Sequence, residues 1–185
     1  MYQIRIHGRG GQGVVTAAEL IAISAFAEGW QTQAFPSFGV ERTGAPIEAF
    51  ARIDKKPIRT REHIYEPDVL IIQDASVMAA VDVGHGAGKN TKVIINTAQP
   101  KESISLKLPK ENIYTIDATK IAMEELGRNI VNTVILGAFA KVTGLVGLPS
   151  LEKAIEEKFS EKGQAIVDKN IKAIKRSYES IKIDK

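Results

Sequence analysis

The residues whose spacing most clearly suggests ligand binding are glycines near the start of the chain. Gly8, Gly10 and Gly13 have the G-x-G-x-x-G spacing that binds phosphate groups when it connects a strand to a helix. Glycines allow positive φ angles and let a ligand approach the main chain, while the following helix offers unpaired N–H groups. The pattern favours a phosphate or pyrophosphate site, with added donors from two side chains. The candidate loop is Gly8, Arg9, Gly10, Gly11, Gln12 and Gly13.

Two other interpretations of the glycines stay open. A nicotinamide dinucleotide site needs an acidic residue about 20 positions further on, to hold the ribose hydroxyls. Residues 31–35 read Gln-Thr-Gln-Ala-Phe and contain no acid. The glycines also fit a tight turn that only lets the helix pack against the sheet. The motif alone does not separate anion binding from packing.

A second unusual stretch lies at residues 36–46 and reads Pro-Ser-Phe-Gly-Val-Glu-Arg-Thr-Gly-Ala-Pro. Its turn-forming residues predict an exposed loop. The adjacent Glu41 and Arg42 fit an ordinary solvated surface, but aromatic residues next to an arginine are also typical of recognition surfaces. Because loops at the carboxyl ends of parallel strands meet, we expect this loop and the glycine loop to line one crevice. The candidate residues here are Glu41, Arg42, Thr43 and Gly44.

Composition excludes several classes of protein. With 25 basic and 22 acidic residues the formal net charge is only +3, which does not predict a nucleic-acid-binding face. The chain has no cysteine, so its own thiolates hold neither zinc nor an iron–sulfur cluster. The histidines are isolated, so we expect no metal site. No apolar run is long enough to span a bilayer, and no signal sequence is evident, so we expect a cytoplasmic protein without membrane contact.

The positions of the apolar residues predict the elements that hold these loops. Alternating and short continuous apolar runs predict strands at 2–7, 31–35, 47–53, 58–61, 69–72, 93–95 and 113–116. Helical spacing predicts helices at 14–28, 118–126, 130–142, 151–159 and 163–181. The segment at 58–61 is expected to pair back on 47–53 as a hairpin. Together these elements predict one α/β domain over residues 1–185, with a doubly wound, mainly parallel, Rossmann-like sheet and a hairpin excursion.

Several long motifs in this order resemble one family. Residues 4–18 read Ile-Arg-Ile-His-Gly-Arg-Gly-Gly-Gln-Gly-Val-Val-Thr-Ala-Ala, and residues 38–46 read Phe-Gly-Val-Glu-Arg-Thr-Gly-Ala-Pro. Both resemble the gamma subunit of 2-oxoacid:ferredoxin oxidoreductases, most closely the pyruvate enzyme. Shorter blocks at 33–36, 49–53, 67–69 and 132–138 are similar to later parts of the same subunit. The resemblance spans roughly residues 4–145.

The resemblance implies a role within a larger enzyme. The complete enzyme of this family converts pyruvate and coenzyme A to acetyl-CoA, carbon dioxide and reduced ferredoxin. Thiamine diphosphate lies between the alpha and beta subunits, and [4Fe–4S] clusters lie on beta and on a ferredoxin-like delta subunit. The gamma subunit handles coenzyme A in a Rossmann-like domain. The resemblance therefore implies that this chain is not catalytic alone, and that its two loops bind coenzyme A or contact partner subunits.

Two other functions remain open on the sequence. A stand-alone NAD(P)-dependent dehydrogenase would use the glycine loop for its cofactor, although 185 residues leave little room for a substrate domain. An accessory module that binds nucleotides or coenzyme A outside any oxidoreductase would use the same loop. The sequence does not identify the 2-oxoacid, because that pocket is expected on other subunits.

Overall fold

The computed structural model describes residues 1–37 and 43–183. The described strands are β1 (Tyr2–Arg9), β2 (Gln31–Pro36), β3 (Pro46–Asp54), β4 (Val69–Ile72), β5 (Lys92–Asn96) and β6 (Ile113–Ile116). The described helices are α1 (Val14–Ala27), α2 (Ala118–Leu126), α3 (Val131–Thr143), α4 (Leu148–Phe159) and α5 (Gln164–Ser180).

The six strands form one sheet in the order β2-β3-β1-β4-β5-β6. The pairs β1–β4, β4–β5 and β5–β6 are parallel, whereas β3 is antiparallel to both β1 and β2. The expected α/β class with a mainly parallel sheet is therefore confirmed. The short continuous apolar run at 69–72 forms a central strand that is buried along its whole length, as such runs do in parallel sheets.

The expected hairpin is misplaced. Residues 58–61 form no strand, and β3 instead pairs with β2 on one edge and with β1 on the other. Both rows of hydrogen-bonding groups on β3 are therefore occupied, and no edge is left for a following segment. The antiparallel excursion that the sequence predicts is formed by β2 and β3.

The α-helices cover one face of the sheet. Buried residues from all five helices join the larger hydrophobic cluster, together with Ile4 and Ile6 of β1 and Ile71 of β4. The helices stop where the chain can turn, for example at Gly127, which follows α2 with φ of 74°. This layer fixes the direction of α1 and α3, whose first turns lie at the carboxyl ends of the parallel strands.

The opposite face is covered by 3₁₀ turns and irregular segments that pack on Leu70, Ile72, Val93 and Ile95. Two buried arginines from the sheet hold part of this cover in place. Arg5 donates to the backbone oxygens of residues 64, 83 and 85, and Arg52 donates to the backbone oxygen of residue 62. These bonds satisfy carbonyl groups that no regular element pairs.

Within the described ranges, no helix combines the length and the apolar character needed to cross a lipid bilayer.

The tightest contact between helices is at Gly137, in the middle of α3. A Cβ atom placed there would lie 2.1 Å from the backbone oxygen of Ile174 on α5 and 2.9 Å from the Ser177 Cβ. The α3 backbone also donates from the Ala138 N–H to the Ser177 Oγ at 3.2 Å. The two helix backbones therefore approach so closely that only glycine fits between them.

We predict that Gly137→Ala forces α3 and α5 apart. The expected loss of stability is roughly 1–3 kcal/mol, although alanine is the better helix former. Gly88→Ala is the matched control, because a Cβ there meets nothing within 4 Å. Thermal unfolding of both variants checks this, and equal melting temperatures would contradict the packing described here.

Candidate functional site

The glycine loop joins the end of β1 to the start of α1. Gly11 and Gly13 have φ angles of 90° and 70°, values that other L-residues rarely adopt. Gly13 is the N-cap residue of α1 and, having no side chain, makes no side-chain cap. The N–H groups of the first helical turn have no partner within the helix, because its first backbone bond runs from the Ala17 N–H to the Gly13 oxygen.

Packing also requires glycine at two positions of the loop. A Cβ on Gly8 would lie 2.6 Å from the Val14 Cγ2, and one on Gly13 would lie 2.3 Å from the Asn132 Nδ2. Gly11 differs, because the nearest atom to a Cβ there is the Thr43 Cγ2 at 3.9 Å. Gly8 and Gly13 thus serve close packing, whereas Gly11 faces open space.

The second loop reaches the first one through its described end. The Gly10 N–H donates to the Ala45 oxygen at 2.9 Å, and the Gly44 N–H donates to the Gly10 oxygen at 3.0 Å. Thr43 and Gly44 therefore lie beside the glycine loop. Glu41 and Arg42 lie outside the described residues.

The side chains of Arg9 and Gln12 brace the loop. Arg9 donates to the Ser76 Oγ from Nε and Nη2 and to the Gly44 oxygen from Nη1, at 2.8–3.0 Å. Gln12 donates to the Asp74 Oδ2 at 2.8 Å and accepts from the Arg9 N–H at 2.8 Å. The expected extra donors are thus occupied within the protein, and the N–H groups of the first turn of α1 remain for a ligand.

Asp74 connects this bracing to the end of β4. Burial raises the pKa of Asp74, but hydrogen bonds from Ser76 and Gln12 and the charge of Arg9 outweigh it, so the net pKa is lowered. The carboxylate stays ionised at neutral pH and keeps accepting from Gln12. The loop geometry is therefore held by a charge-assisted network rather than by the turn alone.

An open groove of about 440 Å³ runs along the loop. It is lined by Gly10, Gly11, Gly13, Val14, Val15, Thr43 and Ile47. Its lining is glycine main chain, Thr43 and aliphatic side chains, and Val14 and Val15 belong to the first turn of α1. Such a surface suits an extended anionic ligand.

A smaller polar cavity of about 210 Å³ adjoins the carboxyl ends of β1, β4 and β5. Gln73 follows β4 and is 1% exposed, yet neither its amide oxygen nor its amide nitrogen has a partner among the described residues. The Asn132 Oδ1 is likewise buried without a partner there. Buried amides without partners are costly and point to a missing ligand group or water.

Sequence reasoning missed Gln73. The available signal was its place directly after the apolar run at 69–72. Ligands of parallel α/β sheets bind at the carboxyl ends of the strands, and Gln73 follows the carboxyl end of a buried strand.

Comparison with known proteins identifies the chain. The family described as pyruvate ferredoxin/flavodoxin oxidoreductase matches residues 3–180. The chain belongs to this family. The chain is 50% identical to the common gamma subunit of the pyruvate/ketoisovalerate oxidoreductases of Pyrococcus furiosus, over 99% of this chain and 98% of that one.

Two solved structures share the fold of this chain. The crystal structure of the pyruvate oxidoreductase subunit PORC of Thermotoga maritima superposes with a TM-score of 0.84 at 36% identity, over 98% of this chain and 97% of that one. The 2-oxoglutarate:ferredoxin oxidoreductase of Magnetococcus marinus superposes with a TM-score of 0.79 at 18% identity, over 99% of this chain and 32% of that one. The second likeness shows the fold alone.

These findings confirm the resemblance to the gamma subunit, and they extend it beyond residue 145 into the C-terminal helices. They also confirm that the chain is a subunit of an oxidoreductase.

His7 lies behind the glycine loop and has a structural role. It is 1% exposed, and its Nε2 accepts from the Arg5 Nε at 3.2 Å while its Nδ1 lies 3.4 Å from the Glu48 Oε1. Burial, with the neighbouring charge of Arg5, lowers the pKa of His7 to about 3. The imidazole is therefore neutral at physiological pH.

We predict an acid-sensitive stability that depends on His7. The folded pKa is about 3, and the unfolded pKa is about 6.5. The unfolded chain therefore takes up a proton as the pH falls below 6.5, while the folded chain does not. The stability contributed by neutral His7 is present above pH 6.5 and is lost toward pH 3, by about 2 kcal/mol between pH 7 and pH 5.

Urea unfolding at pH 7 and pH 5 measures this loss. His7→Gln should remove about 2 kcal/mol of the difference between the two pH values. His85→Gln, at an exposed position, controls for the loss of one histidine. If the His7 variant keeps the full pH dependence, the burial of a neutral imidazole is not its cause.

Proposed function

We propose that this chain contributes the coenzyme A site of a multisubunit pyruvate or related 2-oxoacid:ferredoxin oxidoreductase. Its partners are the alpha, beta and delta subunits, which carry thiamine diphosphate and the [4Fe–4S] clusters, and ferredoxin accepts the electrons. The absence of cysteine in this chain agrees with clusters held elsewhere. The chain binds and orients coenzyme A and itself forms or breaks no bond.

The observation that carries this proposal is the uncapped first turn of α1 facing an open groove. Main-chain N–H groups and the positive end of the helix dipole stabilise a diphosphate without any basic side chain. The side chains of Arg9 and Gln12 form hydrogen bonds within the protein that hold the loop in shape. A preformed loop of this kind lowers the entropic cost of binding.

The buried amide of Gln73 supports the same ligand. Coenzyme A carries amide groups along its pantetheine arm, and each offers both a donor and an acceptor. Gln73 offers the matching pair in the polar cavity next to the loop. The coenzyme then has partners for its diphosphate and for its arm.

A nicotinamide cofactor fits the sheet poorly. In the classic dinucleotide fold the acid that holds the ribose lies at the end of the strand next to β1. Here β3 lies between β1 and β2, and β2 contains no acid. The rival dehydrogenase function therefore lacks both the neighbouring strand and the residue that it requires.

Glu41 and Arg42 remain predicted members of the coenzyme site. A role for both loops in subunit contact is the alternative, because the described residues Thr43 and Gly44 are exposed. The two functions predict different effects of a negative charge added to the groove. Coenzyme A binding would be weakened, whereas a subunit contact would be disturbed without a change in the KM for coenzyme A.

We predict that Thr43→Glu raises the apparent KM for coenzyme A of the assembled complex. Thr43 is exposed and lines the groove, so a carboxylate there repels the diphosphate. The expected rise is roughly 10-fold, from a Coulomb term of about 1–2 kcal/mol near a protein surface. Thr43→Gln has the same length without the charge and is the matched control.

Steady-state kinetics with varied coenzyme A and fixed pyruvate measure the effect, and the KM for pyruvate should not move. A different outcome identifies the alternative. If both variants lower the yield of assembled complex and neither changes the KM for coenzyme A, the loop is an interface element.

A further inference from the structure

A second pocket, separate from the glycine groove, lies among the C-terminal helices. It has a volume of about 250 Å³ between the α2–α3 connection, the first turn of α3 and the start of α5. We call it the basic pocket. It is lined by Thr16, Leu126, Arg128, Ile130, Asn132, Thr133, Phe159, Lys162, Ile166, Lys169 and Asn170.

The charges of the basic pocket are all of one sign. Arg128, Lys162 and Lys169 line it, and no acidic side chain does. In the described part of the chain none of the three forms an ion pair. The acids closest to Arg128 in sequence, Glu124 and Glu125, are already paired with Arg176.

Helix α3 adds to this positive potential. It has 13 residues, and its N-cap residue Ile130 gives no side-chain cap. Asn132 and Thr133 of its first turn line the pocket. Their turn contributes N–H groups without helical partners and the positive end of the helix dipole.

One of the polar residues that line the pocket is buried. Asn132 is 6% exposed, and its Oδ1 has no partner among the described residues. The neighbouring Asn170, in contrast, accepts from the Thr133 Oγ1 at 2.7 Å and donates to the Ile166 oxygen at 2.8 Å. The unpaired Asn132 Oδ1 therefore favours a ligand that donates a hydrogen bond. The three cations favour a ligand that also carries negative charge.

The other wall is apolar. Leu126, Ile130, Phe159 and Ile166 are half-buried and line the pocket together with the cations. The Lys162 Nζ lies over the Phe159 ring, 5.0 Å from its centre, in a cation–π contact. A bare phosphate would leave this wall uncovered, whereas a nucleoside phosphate covers it with its base.

We propose that the basic pocket binds the phosphorylated end of a nucleotide. Arg128, Lys162 and Lys169 hold the phosphate, the apolar wall takes the base, and Asn132 accepts from a donor on the nucleoside. The volume of about 250 Å³ is below the roughly 300–1,000 Å³ of pockets that enclose a whole ligand. The pocket therefore takes one end of a longer molecule or one small nucleotide.

Asn132 also connects this pocket to the glycine loop, since its Nδ2 would lie 2.3 Å from a Cβ on Gly13. One source of the ligand is the 3′-phosphorylated adenosine end of coenzyme A, with its diphosphate passing to the glycine groove. That source rests on the proposed function. The other source is a free adenosine nucleotide.

The test uses calorimetric titration of the full-length chain with adenosine 3′,5′-bisphosphate. We expect the double variant Arg128→Gln/Lys169→Gln to weaken binding at least about 10-fold, through the loss of two charge-assisted contacts. Lys120→Gln/Lys153→Gln is the matched control, because it removes the same charge from exposed positions outside the pocket. The control should bind the probe like the unmodified chain.

Kinetics of the assembled complex distinguish the two sources. If coenzyme A is the source, the pocket variant raises the KM for coenzyme A and leaves that for dephospho-coenzyme A almost unchanged. If a free nucleotide is the source, the pocket variant loses the probe but keeps both KM values. Each of these results supports the pocket as a nucleotide site.

The proposal is wrong if the unmodified chain does not bind the probe, or if the pocket and control variants bind it equally. Impaired assembly of the pocket variant without any probe binding would assign the pocket to an acidic segment of a partner subunit. Either result leaves the effect of Thr43→Glu on coenzyme A untouched, so the proposed function is tested separately.

Discussion

The contact between Gly13 and Asn132 is the constraint on which both candidate sites depend. It joins the first turn of α1 to the first turn of α3 at a distance that excludes any Cβ on Gly13. Two helix N-termini without side-chain caps are thereby brought side by side. Their dipoles add at the carboxyl ends of the parallel strands and attract anions there, in addition to the basic side chains that line the second site.

The unequal covering of the sheet explains how this edge is kept rigid. The helical face is held by an extended apolar core, whereas the other face depends on Arg5 and Arg52 for its irregular cover. Each guanidinium pairs backbone carbonyls of the irregular segments, and the two buried bonds of Arg5 avoid a cost of about 1–3 kcal/mol for each carbonyl left without a partner. Arg9, Gln12 and Asp74 extend the same type of polar network to the glycine loop. The site is thus preformed by hydrogen bonds that end inside the protein.

Local sequence patterns were sufficient for most elements. The boundaries of β4, β6 and α2 follow directly from continuous or helically spaced apolar residues. The strand expected at 58–61 does not form. An alternating apolar pattern shows that a segment can be a strand, but it does not show which neighbouring strand is free to pair with it. Only the insertion of β3 between β1 and β2, a long-range pairing, shows that no edge remains.

The same distinction applies to the sites. The glycine loop is visible in sequence because backbone conformation restricts residue type locally. The unpaired amide of Gln73 and the clustering of Arg128, Lys162 and Lys169 are not visible, because burial and the absence of a partner arise only in the folded chain. Arg9 shows the reverse case, since its place in the motif suggests a ligand contact and its bonds show a brace.

The central claim is that main-chain N–H groups at the start of α1 bind coenzyme A. Hydrogen–deuterium exchange of the assembled complex, with and without coenzyme A, tests it most directly. The account predicts slower exchange on addition of coenzyme A in the segment from Gly10 to Val15. Unchanged exchange in that segment at saturating coenzyme A, with protection there only on subunit assembly, would contradict it.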